Sequence, residues 1–286
     1  MGGGTWTTSA FREYSTTMGR STLSDGSLDI KDMGAAQVYR ARSVSDMLNP
    51  KNVLRECRDS EEHPNTIPVI LALDVTGSMG QAAVEVAAEL NKIMTKLYEE
   101  VQDVEFMIMG IGDFIYDDGP LQVSQFESDI RIAEQLDLLW FEFGGGGNDY
   151  ESYTAPWAFA ERQIDLDCWK RGKKGIIITM GDEKLNPYLP EDKVNAWLGS
   201  DFQKHQLDTN KLYDRVKDKW NIYHINVNHR NWRNEENIAT FEKILGKNNV
   251  KNVPINGVAQ VIVDIVKENE NQSENIGILK CDEISW

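Results

Sequence analysis

The feature that most constrains this chain is an alternation of short apolar runs with longer segments whose apolar residues recur every three or four positions. Ile67-Pro-Val-Ile-Leu-Ala-Leu73 is the first run. Nothing in it alternates and turn residues follow it, so it reads as a strand buried on both faces. The next segment carries Ala83, Val86, Ala87, Leu90, Ile93, Met94, Leu97 and Val101, the spacing of an amphipathic helix. Val104 to Ile111 reads as a second core strand, Leu121 to Phe126 as a short edge strand, and 130–139 as a short helix. Gly175-Ile-Ile-Ile-Thr179 and Asn221 to Val227 read as two more core strands, and Asn249 to Val253 as a short one. Helices are expected after the glycine run at 144–147, over 190–217, from about Glu235 to Leu245, and from Gly257 to Val266. This order predicts an α/β fold: a doubly wound, mainly parallel sheet with helices on both faces. In such sheets ligands sit beyond the carboxyl ends of the strands, where the strand order reverses.

The flanks read differently. Residues 1–65 are rich in Ser, Thr, Gly and charge and cannot build a core alone. Trp6, Phe11, Tyr14, Tyr39, Met47 and Leu48 supply enough large apolar groups to predict an extended arm packed on a main domain at 66–268. Residues 269–286 are expected to form a polar linker and tail.

Asp plus Glu number 46 against Lys plus Arg 30, a formal charge of -16. Such a chain repels phosphate backbones, which argues against nucleic acid as a partner. The basic run Lys170, Arg171, Lys173, Lys174 reads as a solvated turn before a strand. Cys57, Cys168 and Cys281 lie far apart with no CxxC, so neither a disulfide framework nor a zinc site is expected, and a reducing, cytoplasmic setting fits. No apolar run reaches the ~18–20 residues of a membrane span. The N-terminus lacks the charged and apolar regions of a signal peptide, and Trp6 stands where a myristoylation motif wants Ser or Thr.

The chemistry concentrates after the first core strand, in Asp74-Val-Thr-Gly-Ser78. Carboxylate and hydroxyl oxygens at i, i+2 and i+4 of a tight turn point to one centre, and Gly77 is expected to allow the bend. A hard divalent cation accepts such a set. The helix that follows points its positive end at any bound anion.

Asp-x-Thr-x-Ser between an apolar strand and a long helix resembles the first segment of the metal-ion-dependent adhesion site of von Willebrand factor A domains. The resemblance covers roughly residues 66–268. It implies that Asp74, Thr76 and Ser78 help hold a cation, Mg²⁺ or else Mn²⁺ or Ca²⁺. The family's third segment, an Asp ending a later strand, is matched by Asp182, although Met180-Gly-Asp182 replaces the commoner Thr-Asp-Gly order. The second segment, a glycine-rich loop with a Thr ligand, is matched by the glycines at 144–147 without the Thr. Asn148 is the preferred substitute and Asp149 the alternative. Asp113, Asp149 and Glu151 are candidates for supporting the ligands from behind. Met1-Gly-Gly-Gly4 and Arg55-Glu-Cys-Arg-Asp-Ser-Glu-Glu-His-Pro64 also resemble a narrower group of bacterial intracellular proteins.

What the resemblance implies is metal-dependent binding of a protein that offers an Asp or Glu, without catalysis. Intracellular domains of this type often serve AAA+ ATPases as adaptors. The rival is a metal-dependent phosphate hydrolase with an aspartyl nucleophile. That chemistry wants a second Asp two residues on, where Thr76 stands. The bland alternative is a helix cap at 74–78, which leaves the glycine run and Asp182 unexplained. His63, His205, His224 and His229 pair with no Ser or Cys at motif spacing, and His224 reads as core. Trp140, Trp157, Trp169 and Trp197 read as packing residues. The ligands are expected on surface loops, so that Asp74→Ala would spare the fold.

Overall fold

The structure is a computed structural model describing residues 4–143, 147, 149–199, 206–228 and 234–282, with only the backbone of 271–282. Its centre is a six-stranded sheet. The strands are β1 (Ile67–Asp74), β2 (Val104–Ile111), β3 (Leu121–Val123), β4 (Gly175–Gly181), β5 (Trp220–Val227) and β6 (Val250–Val253). Their order is β6-β5-β4-β1-β2-β3, all parallel except β3, which runs antiparallel to β2 at the edge.

The apolar runs become these strands because both faces of the sheet are covered. Val69, Leu71 and Leu73 of β1 face one core, with α3 (Gly80–Glu100) and α9 (Val258–Asp282). Ile70 and Ala72 face a second core, with α5 (Ala155–Arg162), α7 (Thr209–Val216) and α8 (Asn234–Leu245). Pro68 is tolerated in this central strand because pairing with β4 begins only at Val69. The fold is thus the doubly wound, mainly parallel α/β class expected. The chain passes from β1 to β2 on one side and later to β4 on the other. The strand order therefore reverses between β1 and β4.

Two stretches differ from the sequence reading. Where 190–217 reads as helical throughout, its described residues hold two helices, α6 (Glu191–Leu198) and α7. The chain before α7 forms a two-residue strand, Leu207–Asp208, against Tyr188–Leu189, and Asp208 caps α7. The last helix does not stop near 266 for a polar linker but runs to Asp282. Asn269 holds it to the sheet by donating to the Tyr223 hydroxyl at 3.0 Å and accepting from Asn221 at 2.7 Å, while Glu270 pairs with Lys173.

Residues 6–39, which include α1 (Thr8–Thr17) and α2 (Ala35–Val38), pack along α3. Trp6 Nε1 donates to Asn91 Oδ1 at 3.0 Å, the Leu28 amide to Ala88 O at 2.9 Å, and the Tyr39 hydroxyl to Ala83 O at 2.8 Å. Trp6, Phe11, Tyr39 and Leu48 are buried in the core on the α3 side. Arg20 reaches Asp137, the last residue of α4 (Arg131–Asp137), with both side chains almost fully buried. The stretch 55–64 acts as a clasp. Arg55–Cys57 pairs in parallel with Ile164–Leu166, Arg58 binds Glu56, Asp165 and Asp167, and Asp59 binds Arg171. The basic run at 170–174 is thereby engaged, since Lys170 pairs with Asp167 and Lys174 donates to Lys217 O. Cys57 and Cys168 are buried free thiols. Among the described residues no helix is long and apolar enough to cross a membrane.

Candidate metal centre

The reversal of strand order puts the end of β1 beside the end of β4. Leu73 is in register with Met180, so Asp74 and Asp182 leave the sheet side by side. Asp74 is fully buried. Its Oδ1 accepts from the Thr76 amide at 2.9 Å and the Thr76 hydroxyl at 2.5 Å. Thr76 Oγ1 lies 3.3 Å from Ser78 Oγ, and Ser78 Oγ donates to Asp182 Oδ1 at 2.8 Å. Four predicted residues therefore form one continuous cluster of oxygens. Gly77 enters the 3-10 turn Gly77–Met79 without the positive φ that glycine alone tolerates, so the bend does not rest on that freedom.

The expectation that the ligands sit on surface loops needs correction. Asp74 and Thr76 are buried, and Ser78 and Asp182 are half-buried. Asp74 is the last residue of a central strand, where helices on both faces exclude water.

Burial has an electrostatic consequence. Desolvation, then the neighbouring charge of Asp182, pushes the Asp74 carboxyl above its ordinary range. Glu151 is driven up further, first by burial and then by Asp74, Asp117, Asp113 and Glu183. Its Oε2 is buried without a hydrogen-bond partner. A cation would lower the cost of this acidic interior. The donors are all oxygens, two carboxylates and two hydroxyls, which suits a hard ion. Among the described residues no group of three or more His, Cys, Asp or Glu side chains is arranged to hold a metal. Hydroxyls would therefore have to supply half of this four-residue set.

The remaining candidates fall in different places. Asn148 and the glycines at 144–146 lie outside the described residues. Asp113 is buried and caps its own loop: its Oδ1 accepts from the Ile115 amide at 2.9 Å and lies 3.4 Å from Ser152 Oγ. Asp149 is exposed and lies 3.8 Å from Lys184, which also pairs with Glu236. Among the described residues Glu151 joins the acidic interior through the charges named above.

Two contributors escaped the sequence reading. Tyr153 donates to Asp74 Oδ2 at 2.7 Å, and Asn237 of α8 donates to the Asp182 carbonyl at 2.5 Å. Neither belongs to a recognisable motif. The only trace of Tyr153 is Gly181, whose missing side chain makes room for it. His224 is fully buried and stacks on Phe241 at 3.4 Å, so it packs beneath the site rather than opening into it.

Fold and cluster together define a doubly wound α/β domain with a hydroxyl-rich acidic cluster at its topological switch point. No protein-family model and no curated protein matches this chain. Among solved structures it is similar to the pilus adhesin SpaC from Lactobacillus rhamnosus GG in its open conformation, with 12% identity and a TM-score of 0.48, over 77% of this chain and 31% of the adhesin. It is also similar to proximal thread matrix protein 1 of the mussel byssus, with 13% identity and a TM-score of 0.47, over 72% of this chain and 48% of that one. A third is the vWF domain of the type V pili tip protein Mfa5 from Porphyromonas gingivalis, with 13% identity and a TM-score of 0.46, over 74% of this chain and 96% of that domain. The chain spans about a third of the adhesin's length and about half that of the thread matrix protein.

Proposed function

We propose that this chain is a von Willebrand factor A-type binding domain that takes up one divalent cation, Mg²⁺ or else Mn²⁺ or Ca²⁺, at Asp74, Thr76, Ser78 and Asp182. Asn148 of the glycine-rich loop is the further candidate ligand. The observation that carries this reading is the unbroken line of oxygen contacts from Asp74 through Thr76 and Ser78 to Asp182. Residues 104 apart in sequence would not converge this way merely to cap a helix. When bound, the cation would supply an electrophilic position for an incoming carboxylate. Asp74 and Asp182 would anchor it, and Thr76 and Ser78 would bind it without neutralising it. The partner is a protein presenting an Asp or Glu, in the cytoplasm, and an AAA+ ATPase is one candidate.

Among the described residues Glu151 favours a phosphate hydrolase, since a carboxyl held protonated can serve as a general acid. The residue is almost fully buried, however, and its Oε2 is closed off from solvent. Isothermal calorimetry with Mg²⁺ and Mn²⁺ on wild type and Asp74→Asn tests the cation site. One site in wild type and none in the variant is expected; equal binding by both removes the proposal.

A further inference from the structure

Tyr153 has no place in the ligand set, yet it is held by two hydrogen bonds and two ring contacts. It lies two residues after Glu151, just before α5, and is fully buried. Its ring meets His224 edge-on at 5.2 Å and 67°, and Phe241 at 5.3 Å and 62°. Those two rings stack on each other, so the phenol cannot swing away. The hydroxyl donates to Asp74 Oδ2 at 2.7 Å and accepts from the Glu183 amide at 3.3 Å. Since Asp74 Oδ1 is already held by Thr76, the carboxylate is fixed at both ends.

The chain makes room for this hydroxyl at one point. A Cβ on Gly181 would stand 1.9 Å from the Tyr153 oxygen and 2.4 Å from its Cζ. Any other residue would drive the ring out. The order Met180-Gly181-Asp182 thus has a steric cause: glycine must occupy the end of β4 where the phenol crosses, so the acid comes one position later.

We propose that Tyr153 is the positioning residue of the cation site, its hydroxyl locking the Asp74 carboxylate and the Glu183 backbone into one frame so that Asp74 and Asp182 face the same ion. This rests on the cation reading above. A small hard cation tolerates little error in the direction of its oxygens, and a carboxylate free to rotate loses entropy on binding. A phenol also suits the task chemically. It orients the carboxylate as a donor but brings no positive charge, whereas a lysine there would neutralise the site and compete with the ion.

The test compares the full-length wild type with Tyr153→Phe and Asp74→Asn. Mn²⁺ affinity is measured by calorimetry, and tyrosine absorption is followed by difference spectroscopy during the Mn²⁺ titration. Loss of a group that orients a ligand lowers metal affinity about tenfold or more, and Tyr153→Phe is expected to do so. Wild type is expected to give a tyrosine difference band that saturates with Mn²⁺ and is missing in Tyr153→Phe. A role confined to packing would produce neither result. If Asp74→Asn loses Mn²⁺ while Tyr153→Phe binds like wild type, Tyr153 is not the positioning residue and the cation site stands. A wild type that binds no Mn²⁺ overturns both. The difference band needs no variant, so a wild type that binds Mn²⁺ without perturbing any tyrosine also overturns the role of Tyr153.

Discussion

Ser78 and Asp182, 104 residues apart in the chain, meet through a 2.8 Å hydrogen bond from the serine hydroxyl to Asp182 Oδ1. The contact exists because β1 and β4 are neighbours in the sheet although β2 and β3 intervene in sequence. It joins the two halves of the candidate cation site and locates the acidic interior at the reversal of strand order.

The buried Asp74 carboxylate beside the half-buried Asp182 opposes folding when no cation is bound. Asp74→Asn removes one charge and keeps the shape. In chelator this variant is expected to melt at or above the wild-type temperature. Added Mg²⁺ should raise the melting temperature of wild type only, because a ligand at a hundredfold its Kd stabilises by about 2.7 kcal/mol and the variant has no site. Thermal scans with and without Mg²⁺ decide this. A variant less stable than wild type in chelator would mean that the lost hydrogen bonds outweigh the relief of repulsion.

His224 gives the acid limb of stability a definite sign. Burial pushes its pKa down to about 3. An exposed histidine titrates near ~6.5, so below that pH the unfolded chain takes up a proton that the native state refuses. The stabilising contribution is complete above about pH 6.5 and is lost as pH falls toward 3, amounting to about 2 kcal/mol by pH 5. His224→Phe, which keeps a ring against Phe241, should flatten this part of the profile. Urea unfolding of both proteins at pH 7 and pH 5 measures it; parallel profiles would place the proton uptake elsewhere.

Trp6 tests whether the N-terminal segment contributes to stability. It is buried, packs on Phe11 and donates to Asn91. Trp6→Ala should cost about 3–5 kcal/mol in urea unfolding, the range for a large aromatic removed from a core. Limited proteolysis of wild type should leave the segment intact. A loss below about 0.5 kcal/mol, typical of surface positions, would show a loosely attached tail.

Arg20 and Asp137 form a pair whose side chains are 9% and 8% exposed. Arg20→Met leaves the Asp137 carboxylate buried, with the Tyr14 hydroxyl still donating to it at 2.8 Å. The expected loss is about 3–5 kcal/mol. The double variant Arg20→Met, Asp137→Leu should recover most of it, and a double-mutant cycle in urea reads the coupling.

A partner bound through the cation should be released by chelator and by Ser78→Ala. Metal coordination acts at ~2 Å, whereas the chain's negative charge is screened beyond ~8 Å at physiological salt. Repulsion of an acidic partner should therefore slow association more than it weakens the complex. Surface plasmon resonance across salt and chelator separates the two effects. Affinity unchanged in chelator would move the interface off this site.

The sequence by itself determined the sheet and most of the cluster. Strands buried on both faces must be apolar throughout, and helices on a sheet must show a three-to-four spacing, so Ile67–Asp74 and Gly80–Glu100 were legible as a strand and a helix. Asp74, Thr76 and Ser78 were legible because their spacing is local. What the sequence could not carry was decided by pairing and packing across the chain. The depth of Asp74 follows from helices covering both sides of β1. Tyr153 was invisible because one buried tyrosine looks like any other until β4 and the loop before α5 are brought together. Asn237 reaches the Asp182 carbonyl from a helix 55 residues on. Asn269 of α9 meets Asn221 and Tyr223, a tertiary contact that carries the helix past residue 266. Local periodicity records which face of an element is buried; the partner that buries it belongs to the tertiary structure.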